Sequence, residues 1–262
     1  METFEALTLS DFIRILETHY YVDDNTLFRG HNSADWKLEP KIARDFKQRR
    51  KIDTEEKMVE TFKRLSKQFL HSELNNDWDY LALAQHHGMA TRLLDWSKNP
   101  LAALWFCVNK PCIDKSGCVW IMKVEEDDYL KASQLDYKHT PHTLHTDASL
   151  QSYLTSTVYS NPFNISSIII YQPHLLDNRI IVQNGWFTAH GRNEEGKYIE
   201  LSENENWQKR LVKITIPKLS FSEIRANLDT LGVNQMTLFP DLDGTAYYTE
   251  WLHTVLEDEP NG

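Results

Sequence analysis

Between Tyr80 and Val108 the chain reads YLALAQHHGMATRLLDWSKNPLAALWFCV. Gln85, His86, His87, Thr91, Arg92, Asp95, Trp96, Ser97 and Asn99 crowd there between two apolar segments. A core accounts for the leucines and alanines but not for so many hydrogen-bonding groups. Some of them can fasten one another: Arg92 and Asp95 suit an ion pair, and Ser97 suits the cap of the following helix. The remainder point to a ligand site. Adjacent histidines without a third spaced ligand rarely build a metal centre, so no metal is expected. No serine lies in a G-x-S-x-G elbow, which removes the commonest signature of a serine hydrolase. Asp241 and Asp243 in LFPDLDG would share a face of an extended segment and suit a metal or an acid–base pair. A turn in which one of them accepts backbone N–H bonds is the simpler reading.

A second stretch, LFRGHNSADW (Leu27–Trp36), sets Arg29 and Gly30 directly after an apolar pair. Arginine brings a fixed charge and a planar donor fork that matches phosphates and carboxylates. Glycine lets the backbone turn sharply or a ligand approach. The basic segment Lys37–Lys51 (KLEPKIARDFKQRRK) follows, and as a patch it would steer an anion towards Arg29. Trp36, Trp96 and Trp186 each offer a flat face for an aromatic ring.

These motifs carry two resemblances. LFRG followed by QHHGMATRLLDWSKNPLAALWF resembles the FRG domain family, named for its Phe-Arg-Gly motif, and the later RIIVQNGWFT and LGVNQMTLFPDLDG resemble its closing motifs, so the likeness runs from about Leu27 to Thr245. The order of motifs is also similar, more weakly, to ADP-ribosyltransferases. Those enzymes have an aromatic–Arg–Gly strand, then a Ser/Thr-bearing strand leading into a helix, then a late strand with Glu or Gln. The second resemblance implies an ADP-ribosyltransferase-like core and NAD as substrate. Arg29 would hold the phosphates, Thr91 or Ser97 would be the middle hydroxyl, and Gln183 would close the site. Gly30, His86, Arg92, Asp95 and Trp96 would contact the nucleotide around Arg29. Glutamine stands where glutamate is usual: it can orient a sugar but supplies no counter-charge to the cation formed as nicotinamide leaves. The implied reaction is transfer of ADP-ribose to a protein or nucleic acid, or hydrolysis of the glycosidic bond, in a toxin or antiphage role. The rival classes are a non-enzymatic nucleotide- or phosphate-binding module and a metal-dependent nuclease using Asp241, Asp243 and His86.

The elements that must position these residues are legible from periodicity. Leu9–Tyr20 reads as a helix capped by Ser10 or Asp11, and NTLFRG as a strand ending at the glycine. Thr54–Leu74 carries Met58, Val59, Phe62, Leu65 and Phe69 at helical spacing, with Glu55 and Glu56 at the positive end of the dipole. Trp78–Gln85 is a second helix stopped by HHG. TRLLDWS is a strand or an irregular turn, LAALWFCV a buried helix with Pro100 in its first turn, and GCVWIMKV a strand. Leu130–Asn161 lacks periodicity and suits a long loop or cover. SSIIIYQP, RIIVQNGWFTAH and RLVKITIP read as strands, and Arg225–Leu231 as a helix. The expected fold is α+β in a single domain over 1–262, with helices mainly in the first half and a mostly antiparallel sheet built mainly from the second.

Composition bounds the rest. The chain has 262 residues, with 41% hydrophobic and 25% charged, as in ordinary globular proteins. A net charge of −10 argues against general nucleic-acid binding by phosphate neutralisation. Cys107, Cys112 and Cys118 are too few and wrongly spaced for a disulfide or metal framework. No apolar run reaches the length of a membrane span and no signal peptide is legible, so a cytoplasmic protein is expected.

Overall fold

The computed structural model describes residues 1–19, 25–44, 54–70, 74, 76–125, 161–172, 182–183 and 185–259. Its helices are α1 (Leu9–His19), α2 (Lys41–Arg44), α3 (Thr54–Ser66), α4 (Asp77–His86), α5 (Pro100–Val108), α6 (Glu205–Gln208), α7 (Phe221–Thr230), α8 (Gln235–Leu238) and α9 (Leu242–Leu252). The strands are β1 (Glu2–Glu5), β2 (Thr26–His31), β3 (Leu93–Ser97), β4 (Ser116–Lys123), β5 (Ile168–Tyr171), β6 (Gly185–His190) and β7 (Leu211–Pro217). They form one sheet in the order β1-β7-β4-β2-β3-β6-β5, antiparallel except where β1 joins β7.

The class is α+β, as expected, but the two element types are not segregated along the chain. β1 to β4 lie in the first half and α6 to α9 in the second. β2 and β4 read as strands from sequence; what non-local pairing hid is that they form the centre of the sheet, by meeting β3 and β7 across the fold.

Side-chain alternation assigns the two faces. Phe28, Val119, Ile121, Ile214 and Ile216 point to a core shared with Phe12 and Leu16 of α1, Leu104 of α5 and Phe221 of α7. Leu27, Trp120, Met122 and Leu211 point the other way, towards Leu38, Leu201 and Trp207. Towards the β5 edge, Leu93, Phe187 and Tyr171 pack with Val59 of α3 and Trp78 and Leu81 of α4.

Several local expectations are corrected. Helix α1 is capped by Thr8, not by Ser10 or Asp11: Thr8 Oγ1 accepts from Asp11 N at 3.1 Å and Asp11 Oδ2 accepts from Thr8 N at 3.1 Å. α5 is capped by Asn99, whose Oδ1 accepts from Leu101 N at 3.0 Å, while Ser97 ends β3. Pro100 fills the first helical position because its missing N–H would be unpaired there anyway. β2 runs one residue past Gly30, to His31. Residues 182–183 precede β6, so Gln183 is not a strand residue. The expected cover at 130–161 lies, apart from Asn161, outside the described residues, as does the basic segment beyond Arg44. Among the described residues, no helix is long and apolar enough to cross a membrane.

Candidate functional site

The site begins with a defect in the sheet. β2 is paired with β4 along its whole length, and β3 with β6 likewise, yet β2 and β3 share only the Phe28–Ser97 pair. Beyond it the strands part, and a cleft of about 250 Å³ opens, lined by Arg29, Lys41, Arg44, Gln85, Leu93, Leu94 and Asp95. By alternation Arg29 belongs to the face of Leu27 and Trp120, and Asp95 to the face of Leu93 and Phe187. The gap between the strands lets their side chains meet.

Arg29 is anchored from both sides. Its Nη1 donates to Asp95 O at 2.6 Å and lies 3.7 Å from Asp95 Oδ2, while its Nε donates to His31 Nε2 at 2.8 Å. Burial lowers the guanidinium to about 10, against the opposing pull of Asp95, so it is a fixed cation near neutrality. The imidazole that accepts from it must be neutral. Burial, with Arg29, Arg44 and Lys213 nearby, holds His31 well below its ordinary value.

The two other cations come from α2. Lys41 Nζ donates to Gly88 O at 2.9 Å, and Arg44 donates to Glu39 O through Nε at 2.9 Å and Nη2 at 2.7 Å. These partners are carbonyls, which fix position without cancelling charge. Asp95 is the one carboxylate lining the cleft among the described residues, so Arg29, Lys41 and Arg44 leave it with a surplus of positive charge. A cleft so built suits an anion carrying more than one negative charge.

Gly30 stands apart from this chemistry. A Cβ there would lie 1.9 Å from Ala103 O and 2.6 Å from Cys107 N, both backbone atoms of α5. The glycine of the Phe-Arg-Gly motif is thus required by close approach of a helix, on the face opposite Arg29, and not by a turn or a ligand.

Of the other residues given a role by the resemblances, Asp95 alone lines the cleft beside Arg29. Arg92 does not pair with Asp95: it is 1% exposed and donates through Nε to Glu55 Oε2 at 2.8 Å and through Nη1 to Pro162 O at 2.7 Å. Glu55 also accepts from Arg92 N at 2.6 Å and Tyr198 Oη at 2.9 Å, so this network is internal. A signal for it existed in the sequence, because Glu55 falls on the buried stripe of Val59 and Phe62 rather than on an outer face of α3. Thr91 is fully buried, and its hydroxyl donates to Gln85 Oε1 at 2.7 Å.

Ser97 Oγ donates to Gln183 O at 2.6 Å and accepts from Asn99 N at 2.9 Å. Gln183 is brought next to Ser97, but its Nε2 donates to Leu238 O at 2.9 Å, away from the cleft lining. Trp96 is buried with its Nε1 on Thr188 Oγ1 at 3.1 Å, and Trp186 is buried too. Trp36 is 42% exposed, edge-on to His31. His86 is half-buried against His87 and lies outside the lining. Asp241 caps α9 through Gly244 N at 2.7 Å, as the turn reading had it. Lys41, Arg44 and Gln85 are the polar lining residues to which no ligand contact was assigned, Gln85 having been named only within the polar cluster. The basic run held the signal for two of them.

An α+β sheet parted between β2 and β3 around a cationic cleft defines the class of site. Residues 24–116 match the family model of the FRG domain, and the chain carries an FRG domain over that segment. Every residue lining the cleft lies within it. The match stops short of the later motifs at RIIVQNGWFT and LGVNQMTLFPDLDG. Neither the curated proteins nor the solved structures yield a match to the chain.

Proposed function

We propose that the cleft at the β2–β3 parting binds the phosphates of a nucleotide, and that the nucleotide is NAD, consumed by ADP-ribosyl transfer or glycosidic hydrolysis. The observation that carries the binding reading is the set of three cations around one opening, each hydrogen-bonded to a carbonyl and met together by a single lining carboxylate, Asp95. Arg29 would take a diphosphate in forked charge-assisted bonds, with Lys41 and Arg44 on its outer side. A volume of about 250 Å³ lies just under the range usual for small-molecule sites, about 300–1,000 Å³. An open cleft of that size suits the diphosphate and one sugar, with the rest of the ligand reaching outward. The NAD reading draws on the motif order Arg29, Ser97, Gln183, and on the proximity of Ser97 and Gln183 in the fold.

A second reading, a binding module without turnover, is favoured by one observation: the Gln183 amide is occupied by Leu238 O and brings no carboxylate. One experiment separates the two. Purified wild type and Arg29→Ala are assayed for NAD affinity by calorimetry and for nicotinamide release with lysate as acceptor. The expected result is binding and release by wild type, with affinity about 10- to 100-fold weaker in the variant, as for loss of a charge-assisted hydrogen bond. Arginine-dependent binding without release supports the module. Absence of both removes NAD as the ligand.

A further inference from the structure

Asp95 presents its carboxylate in a set way. Oδ2 accepts from Gln85 Nε2 at 3.0 Å and lies 3.7 Å from Arg29 Nη1. Oδ1 has no partner among the described residues, and the side chain is 59% exposed at the cleft. The orientation of Gln85 is itself determined. Thr91 Oγ1 accepts from Leu93 N at 3.1 Å, which leaves its own proton for Gln85 Oε1 at 2.7 Å. With the amide oxygen so occupied, the NH2 group must turn to Asp95. Donation therefore runs one way, from Leu93 N to Thr91, to Gln85, to Asp95, and it ends on a carboxyl oxygen at the cleft. The relay starts from a fully buried threonine, so it is rigid where it begins and exposed where it ends.

We infer that Asp95 is the catalytic carboxylate of this cleft, with Gln85 and Thr91 as its positioning residues. This rests on the NAD reading given above. Oδ1 accepts a hydroxyl of the nicotinamide ribose and stands as counter-charge to the sugar carbon as the glycosidic bond breaks. The bonding pair leaves with the ring nitrogen, giving neutral nicotinamide. A water oxygen, or an acceptor nucleophile, bonds to the cationic carbon, and its proton passes to solvent. Asp95 takes no proton in this step. Paired with Arg29 and hydrogen-bonded by Gln85, it works by remaining an anion. It supplies the charge that Gln183 lacks.

The test is steady-state nicotinamide release together with calorimetric NAD binding, for wild type, Asp95→Asn, Thr91→Val and Thr91→Ser. Asp95→Asn should lower kcat by about 100-fold or more, the scale for removing one preorganised electrostatic group. NAD affinity should hold or tighten in the same variant, because the cleft then keeps all its cations and loses its anion. Thr91→Val should lower kcat with little change in affinity, and Thr91→Ser, which restores the donor, should recover it. Turnover retained in Asp95→Asn overturns the role of Asp95 and leaves the NAD reading standing. Parallel loss of binding and turnover in Asp95→Asn also overturns it, since the residue would then only hold Arg29 in place. No release by wild type overturns both readings.

Discussion

Within the Phe-Arg-Gly motif, neighbouring residues serve opposite faces of the sheet. Arg29 enters the cleft, whereas Gly30 admits the backbone of α5. Gly30→Ala places a Cβ 1.9 Å from a main-chain oxygen, and no flexible side chain is there to yield. It should destabilise by about 3 kcal/mol or more, read as a lower urea midpoint, with ligand affinity unchanged in the fraction that remains folded. Arg92 and Glu55 show the same division between structure and site. Both side chains are almost wholly buried, and Arg92 Nη2 lies 2.7 Å from Glu55 Oε2. Glu55→Ala leaves a buried guanidinium without its counter-ion and should cost about 3–5 kcal/mol in denaturant unfolding. That cost would be far above the effect of an exposed glutamate at a helix end.

Element boundaries decide how the site is aimed. β3 ends at Ser97, and the chain enters α5 two residues later through the Asn99 cap, so strand and helix are joined with little slack. Asn99→Ala should cost about 1 kcal/mol, because Leu101 N and Ala102 N lose their acceptor. α5 packs on β2 and so fixes the strand that carries Arg29. The same variant should therefore weaken anion binding as well as lower the thermal midpoint. The single β2–β3 pair is the other decisive boundary. A fully zipped pair would leave no gap for Arg29 to reach Asp95, and the cleft would close.

Two buried charge arrangements act on the whole molecule. His190 is fully buried, with Nδ1 2.7 Å from Ile199 O and Nε2 3.0 Å from Thr188 Oγ1. Burial, first, and then Arg29, Arg44 and Arg92 lower it to about 4, with the Ile199 carbonyl opposing. A histidine depressed in the folded state contributes stability that is complete above its unfolded value near 6.5 and is lost as pH falls through that interval towards 4. His190 should account for a loss on the order of 3 kcal/mol between those limits. His31 shifts in the same direction. Urea midpoints measured from pH 7 to 4 should fall steeply in wild type and more gently in His190→Gln.

At the other end of the fold, Arg225 of α7 donates to Val108 O at 2.8 Å and pairs with Asp258 at 2.8 Å and Glu259 at 2.5 Å. This ties the segment after α9 to the core. Removing both carboxylates by Asp258→Ala and Glu259→Ala should destabilise by about 3–5 kcal/mol, and adding Arg225→Met should recover part of that loss.

From sequence alone, helices α3, α4, α5 and α7 and strands β2, β4, β5 and β7 were legible within a few residues or a turn, because each carries a local apolar run or period bounded by polar or turn residues. Arg29, which lines the cleft, could also be picked out, since an arginine beside a glycine after an apolar strand is a local signal, and the family resemblance rests on local motifs as well. Tertiary structure alone decided which polar residues share a cavity. Lys41 and Arg44 join Arg29 across the fold, Arg92 turns inward to Glu55, and Asp95 turns outward to Gln85. Those choices depend on which strands pair and where they part. Pairing partners far apart in the chain leave no period in either segment, so the sequence holds the residues of the cleft without holding its shape.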